Sequence, residues 1–142
     1  MAEVHSSAEL PLAPEDAWKL LSDLSRFEEW LTIHDKWSSD IPEMAAGAKV
    51  TEQLTVMGMT NKIEWTVETF EPPSTLKISG IGLAGAQIAF TLSVAPAGSG
   101  SEVTIDAEFT GQMMVGAIGD AVAKNALVEL ENSLAKLREL AA

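Results

Sequence analysis

The chain has 142 residues, 46% of them hydrophobic, with no cysteine, no tyrosine and a formal charge of −12 from 21 acidic and 9 basic residues. The length suits one domain over residues 1–142 with enough apolar material for a real core, and the lack of cysteine excludes a disulfide framework, thiolate zinc and cysteine nucleophiles. Basic residues are scattered singly, so the acidity argues against nucleic-acid partners; with no cationic leader and no apolar run near about 18 residues, a cytoplasmic protein without membrane insertion is expected.

Residues 3–12 mix apolar and polar side chains without helical period and end between Pro11 and Pro14, which predicts a strand. A helix follows, with Pro14 at its first position, Glu15 and Asp16 on the positive end of its dipole, and Ala17, Leu20, Leu21 and Leu24 on one face. Ser25 and Glu28 have the spacing of a capping box, predicting a second short helix through Trp30 and Leu31, and residues 37–41 suggest a short strand. From there to Gly111, strands recur at regular spacing, broken at Gly58, Pro72-Pro73, Gly82 to Gly85 and Gly98 to Gly100, as in an antiparallel meander. The last element, residues 116–140, carries Ala123, Leu127, Leu130, Leu134, Leu137 and Ala141 at steps of four and three. That is one helix of roughly 36 Å at about 1.5 Å per residue.

Turn chemistry sets the expected registers. A two-residue turn at Gly58-Met59 pairs Leu54 with Ile63, Glu52 with Trp65 and Val50 with Val67; one at Gly98-Ser99 pairs Val94 with Val103, Leu92 with Ile105 and Phe90 with Ala107. A three-residue loop Leu83-Ala84-Gly85 pairs Gly80 with Ile88, Ile78 with Phe90 and Leu76 with Leu92, and the inward face continues from Trp65 to Ile78. Chained together, these pairs make rows whose side chains shrink from Val50, Val67, Leu76, Leu92 and Ile105 at one end to Val56, Asn61, Gly82, Ala86 and Gly111 at the other. The small end is expected to be hollow and to take an apolar guest, with methionines such as Met57 and Met113 as an adaptable lining; the competing expectation is that the small residues let the final helix sit close.

Gly80 to Gly85 spells G-x-G-x-x-G, but residues 86 to 94 alternate as a strand, so no helix N-terminus follows to hold a phosphate and the glycines are assigned to a hairpin. No cofactor is expected. His5 and His34 share no metal-ligand spacing, and no metal site is expected either; His34, in a loop between Trp30 and Trp37, reads as a solvated histidine, with a proton shuttle at the rim as the alternative. Glu52 is the informative polar residue, because the alternation that turns Val50, Leu54 and Val56 inward turns it inward too, beside Trp65. A carboxyl group there suits proton transfer or the anchoring of a ligand hydroxyl, unless it reaches solvent at the sheet edge. Asn61, inward by the same register and near the open end, is a second polar anchor, or else a cap for the turn.

Strand, two short helices, meander and long terminal helix resemble the helix-grip fold of the START and Bet v 1 superfamily, which includes polyketide cyclase/dehydrase-like proteins. The run Leu12-Ala13-Pro14-Glu15-Asp16-Ala17-Trp18, with Leu21, Asp23, Phe27 and Trp30, is similar to that family's N-terminal pattern. A narrower likeness, through residues 29–34 with Trp37 and through Gly58-Met59 with Asn61, Ile63, Trp65 and Thr66, is to an actinobacterial subgroup known as toxins of toxin–antitoxin pairs. The resemblance implies an α+β fold, with six or seven antiparallel strands curved around the C-terminal helix and an apolar cavity between them.

The leading functional expectation is therefore binding of an apolar small molecule such as a lipid or polyketide. Its expected contacts are Glu52, Leu54 and Val56 on one strand, Asn61, Ile63 and Trp65 on the next, then Ile78 and Gly80, then Ile88 and Phe90, with Phe109 and Met113 beyond. The alternatives are a cyclase or dehydratase using Glu52 as its acid or base, and a toxin whose partner is a small antitoxin protein.

Overall fold

The computed structural model describes residues 2–56, 58–82, 85–111 and 116–141, with the side chains of Ala2, Val56 and Met59 left aside. In chain order the elements are β1 (Ala2–Leu10), α1 (Pro14–Ser22), a 3₁₀ turn (Leu24–Arg26), α2 (Phe27–Trp30), β2 (His34–Trp37), β3 (Lys49–Val56), β4 (Met59–Glu71), β5 (Thr75–Ile81), β6 (Gln87–Ala97), β7 (Gly100–Thr110) and α3 (Gly116–Ala141). The strands form one antiparallel sheet in the order β1-β7-β6-β5-β4-β3-β2. The meander runs from β2 to β7, and β1 returns to pair with β7, so α1 and α2 carry the chain from one sheet edge to the other. This is the α+β helix-grip architecture, with α3 across the concave face.

Alternation decides which face is buried. On β6 and β7, Phe90, Leu92, Val94, Val103, Ile105, Ala107 and Phe109 are buried, and α3 adds Leu130, Leu134 and Leu137 from its inward stripe. That stripe runs through Gly119, Ala126, Leu130, Ser133 and Leu137, so Leu127, expected inside, is 36% exposed. The reason is drift: a step of seven residues falls about 20° short of two full turns, and the stripe moves off Leu127 onto Ala126.

The registers predicted for β5–β6 and β6–β7 are found, including Gly80 opposite Ile88 and Leu92 opposite Ile105. The β3–β4 register differs by two residues: Val50 faces Trp65, Glu52 faces Ile63 and Leu54 faces Asn61. Val56 opposes Met59, so Gly58 is the second loop residue, left-handed at φ 78°, rather than the first as expected. A shift of two keeps every side chain on its predicted face. It does break the predicted rows, and an irregularity between Val67 and Thr69 leaves Val67, not Trp65, opposite Ile78.

Three local expectations are corrected. The short strand is His34–Trp37 rather than residues 37–41, because its partners are Glu52, Gln53 and Leu54 on β3. The first strand ends at Leu10, two residues early. Ser25 and Glu28 form no capping box; the Asp23 carboxylate accepts from the Ser25 backbone N–H at 3.0 Å and caps the 3₁₀ turn instead. Of the hairpin assigned to the glycine-rich run, Gly85 is left-handed at φ 74° and the Gly82 N–H donates to the Ala86 carbonyl at 2.8 Å, while Leu83 and Ala84 lie outside the described residues.

Candidate functional site

Glu52 lies in the middle of β3 on the concave face and is 1% exposed. Such a carboxyl group needs partners, since desolvation without hydrogen bonds is costly. The Trp65 indole N–H donates to Glu52 Oε1 at 2.8 Å, and His34 Nδ1 meets Glu52 Oε2 in a short contact. The shifted register makes Trp65 a diagonal neighbour of Glu52 rather than its direct opposite, a separation an indole can bridge.

His34 is the residue sequence reasoning assigned to solvent. It opens β2, and the side chain is 3% exposed. Its ring lies 4.9 Å from that of Trp37 and 6.2 Å edge-on from Phe27, and the Trp37 indole N–H donates to the Leu24 carbonyl at 2.8 Å. The 3₁₀ turn and α2 thus build an aromatic wall around the histidine. Because β2 starts at His34 and not at Trp37, the histidine stands against β3, opposite Leu54, and not in a loop.

Next to this set, residues 31–33 are clasped to α3. Thr32 Oγ1 donates to Glu129 Oε2 at 2.5 Å, the Thr32 backbone N–H donates to Ser133 Oγ at 3.0 Å, and the two hydroxyls are 3.1 Å apart. Ser133 is the one polar residue in the buried stripe of α3 and is 1% exposed. Its position between Leu130 and Leu137 on the apolar stripe is the signal in the sequence that marks it.

The clasp holds Leu31 and Ile33 over an apolar cavity of about 30 Å³, walled on the sheet side by Leu54, Ile63, Trp65, Ile88, Phe90 and Phe109 and on the helix side by Asn125, Ala126, Glu129 and Leu130. A second cavity of about 20 Å³ continues beneath α2, with Ile78 and Phe90 among its walls. So six predicted contact residues share one wall, Ile78 lies along the next, and Glu52 sits behind Trp65. Asn61 is half-buried opposite Leu54. At Gly80 the room is taken: a Cβ there would stand 2.5 Å from the Glu64 carbonyl oxygen and 2.7 Å from Ile63 Cγ2. The side chain of Val56 and all of Met57 and Met113 lie outside the described residues. The expected hollow is thus small, because Ile63 and Ile88 fill the space the glycines leave; Gly82 would meet those two side chains at 3.0 to 3.4 Å.

Among the described residues no group of three or more His, Asp or Glu side chains gathers around a point that would suit a metal ion, and no helix is long and apolar enough to cross a membrane.

The family model described as "Polyketide cyclase / dehydrase and lipid transport" matches residues 1–142. A protein of Mycobacterium tuberculosis named Toxin Rv0910 is 38% identical over 135 residues, 94% of each chain. The uncharacterized protein Rv1546 of the same organism is 35% identical over 141 residues, 99% of each chain. A START superfamily protein from Mycobacterium smegmatis shares the fold with a TM-score of 0.78 at 16% identity, over 99% of this chain and 97% of that one.

Proposed function

The chain belongs to the polyketide cyclase/dehydrase and lipid transport family, and on that premise we propose that it binds an apolar small molecule between the concave sheet face and α3. One observation carries the reading: the carbon-walled cavity over Leu54, Ile63, Ile88 and Phe109, closed by a clasp of polar side chains. Sites for drug-sized ligands run to about 300–1,000 Å³, so binding requires residues 31–33 and α3 to separate. Hydrogen bonds through Thr32, Glu129 and Ser133 can be exchanged for water at small net cost. Native mass spectrometry of protein purified from its own host tests this by the mass of a retained molecule. As a second test, amide NMR with N-phenyl-1-naphthylamine should move Leu54, Ile63 and Phe109; shifts confined to the Pro72-Pro73 end, or none, would sink the reading.

The buried His34–Glu52 contact favours a second reading, an enzyme of the cyclase or dehydratase type. A histidine whose Nδ1 is fixed by a carboxyl group is arranged as a base with its orienting partner. Turnover of a cyclisable polyketide that is lost in Glu52→Gln while binding persists would establish it. The name of the 38% identical relative motivates one further experiment: growth arrest on expression, relieved by a neighbouring small protein, would make this chain a toxin with an antitoxin partner.

A further inference from the structure

Trp30 is 1% exposed, and its indole N–H is buried with no acceptor; Asn125 Oδ1 is likewise buried with no donor. Buried polar groups are nearly always paired, so each unpaired one calls for a reason. These two stand on adjoining cavities. Trp30 is part of the wall of the smaller, with Phe27, Ile78, Leu92 and Ile105, and Asn125 is part of the wall of the larger. Leu31, Phe90 and Leu130 belong to both walls and form the partition between them. Water is a poor filler for the smaller space: it would find the Trp30 N–H as its one side-chain polar partner, where a buried water typically takes about three.

We propose that the two cavities are halves of one elongated site, and that its occupant is a neutral apolar molecule carrying two oxygen functions: a carbonyl that accepts from Trp30 Nε1 and, further along, a hydroxyl that donates to Asn125 Oδ1. This rests on the reading that the space beneath α3 takes an apolar guest, and it names the chemistry of that guest. The partition is made of side chains, and Leu31 adjoins the clasped Thr32, so releasing the clasp frees the same residue whose movement joins the halves. Glu129, on the wall beside Asn125, sets a carboxyl group against any anionic head at that end. A simple fatty acid is therefore the wrong chemistry, and an oxygenated, uncharged chain or ring system is the right one.

The test is calorimetric titration of the full chain with five nine-carbon probes: nonane, 2-nonanone, 1-nonanol, 9-hydroxynonan-2-one and nonanoate. The hydroxyketone is expected to bind about tenfold or more tighter than nonane, as one well-made hydrogen bond at each end allows, and nonanoate the most weakly of the oxygenated probes. Trp30→Phe should remove the advantage of the ketone and spare that of 1-nonanol, and Asn125→Leu should do the reverse. Should Trp30→Phe fail to fold, the indole proton of Trp30 in the unaltered protein gives the same information by NMR, moving downfield with 2-nonanone and not with nonane. Equal affinity for nonane and the hydroxyketone, equal losses for all probes in both variants, or an unmoved indole proton would overturn the inference while leaving apolar binding intact. Failure of every probe to bind would overturn apolar binding and the inference with it.

Discussion

The two halves of the sheet bury the same concave face with different chemistry. On β6 and β7 the inward positions 88 to 94 and 103 to 109 are Ile88, Phe90, Leu92, Val94, Val103, Ile105, Ala107 and Phe109, apolar throughout. On β2, β3 and β4 the corresponding face carries His34, Glu52 and Asn61 among Val50, Leu54, Ile63 and Trp65. Apolar contacts are non-directional, so the first half tolerates small losses of volume piecemeal. A buried polar network behaves otherwise, since each member left without its partner is penalised. The first half supplies stability and the second supplies a place where loss of one atom is felt by its neighbours.

The sharpest way to break that comparison is Glu52→Ala. It leaves the Trp65 N–H buried without its acceptor and His34 Nδ1 buried without its partner, at about 1–3 kcal/mol each, and adds a cavity. In the apolar half, Ile105→Val should cost only about 0.5–1.5 kcal/mol. Urea unfolding of the two variants measures the difference. Replacing the whole polar set at once, by Glu52→Leu, His34→Leu and Trp65→Phe, should recover much of what Glu52→Ala loses, because no orphaned group remains. A triple variant no more stable than Glu52→Ala would mean that the set is held by packing rather than by its hydrogen bonds.

Where the halves meet, at β4 and β5, the comparison turns on a close approach. In Gly80→Ala the added Cβ would press on the Glu64 carbonyl oxygen at 2.5 Å, a backbone atom that cannot step aside, and a cost of about 1–3 kcal/mol is expected. Gly82→Ala meets only the mobile ends of Ile88 and Ile63, at 3.0 and 3.4 Å, and should cost less. Melting curves of the two variants rank them, and equal losses would show that the strands do not approach more closely at Gly80.

A smaller effect belongs to the clasp. Thr32→Val keeps the shape of the side chain and removes the hydroxyl that reaches Glu129 and Ser133, at about 0.5–1.5 kcal/mol. If the clasp governs access beneath α3, stopped-flow mixing with N-phenyl-1-naphthylamine should show a faster association rate in the variant. An unchanged rate would separate the clasp from ligand access.

The same division explains what could be read from the sequence. The apolar half was legible: alternation of bulky side chains and glycine at the first of two loop residues, Gly98, determine the β6–β7 register without ambiguity. In the β3–β4 hairpin, glycine at either loop position satisfies the turn, and a two-residue slip preserves every inward and outward assignment, so hydrophobic pattern had no power to choose. Glu52 was legible as an inward carboxyl group because alternation alone sends it there. Its partner His34 was not, because β2 is only four residues long and its start depends on a pairing with β3 that nothing local announces. Asn125 and Ser133 sit on a helix whose apolar stripe drifts, and Ala126 rather than Leu127 marks the buried side; a strict heptad reading turns the helix away from both.

The smallest effect is expected where a pair is fully made but wet. Arg26 Nε and Nη2 donate to Glu29 Oε2 and Oε1 at 2.8 and 3.1 Å, a better two-pronged geometry than anything around Glu52, yet the side chains are 41% and 39% exposed. The hydrogen bond from Arg26 holds the Glu29 carboxyl below its ordinary value, and the same bond raises the Arg26 guanidinium. A lowered carboxyl value means that the unfolded chain binds that proton more readily, so the pair favours the folded state above the ordinary glutamate range, and the contribution disappears as pH falls through the folded value. Solvent screening leaves little of it in either case. Arg26→Gln should therefore leave the melting temperature at pH 7 unchanged within error while the Glu29 titration, followed by carbon-detected NMR, moves up toward the ordinary glutamate value. A clear loss of stability in that variant would mean that the exposed pair anchors the junction of the 3₁₀ turn with α2, the helix that carries Phe27 and Trp30, and the contrast between buried and exposed pairs would then have to be redrawn around that junction.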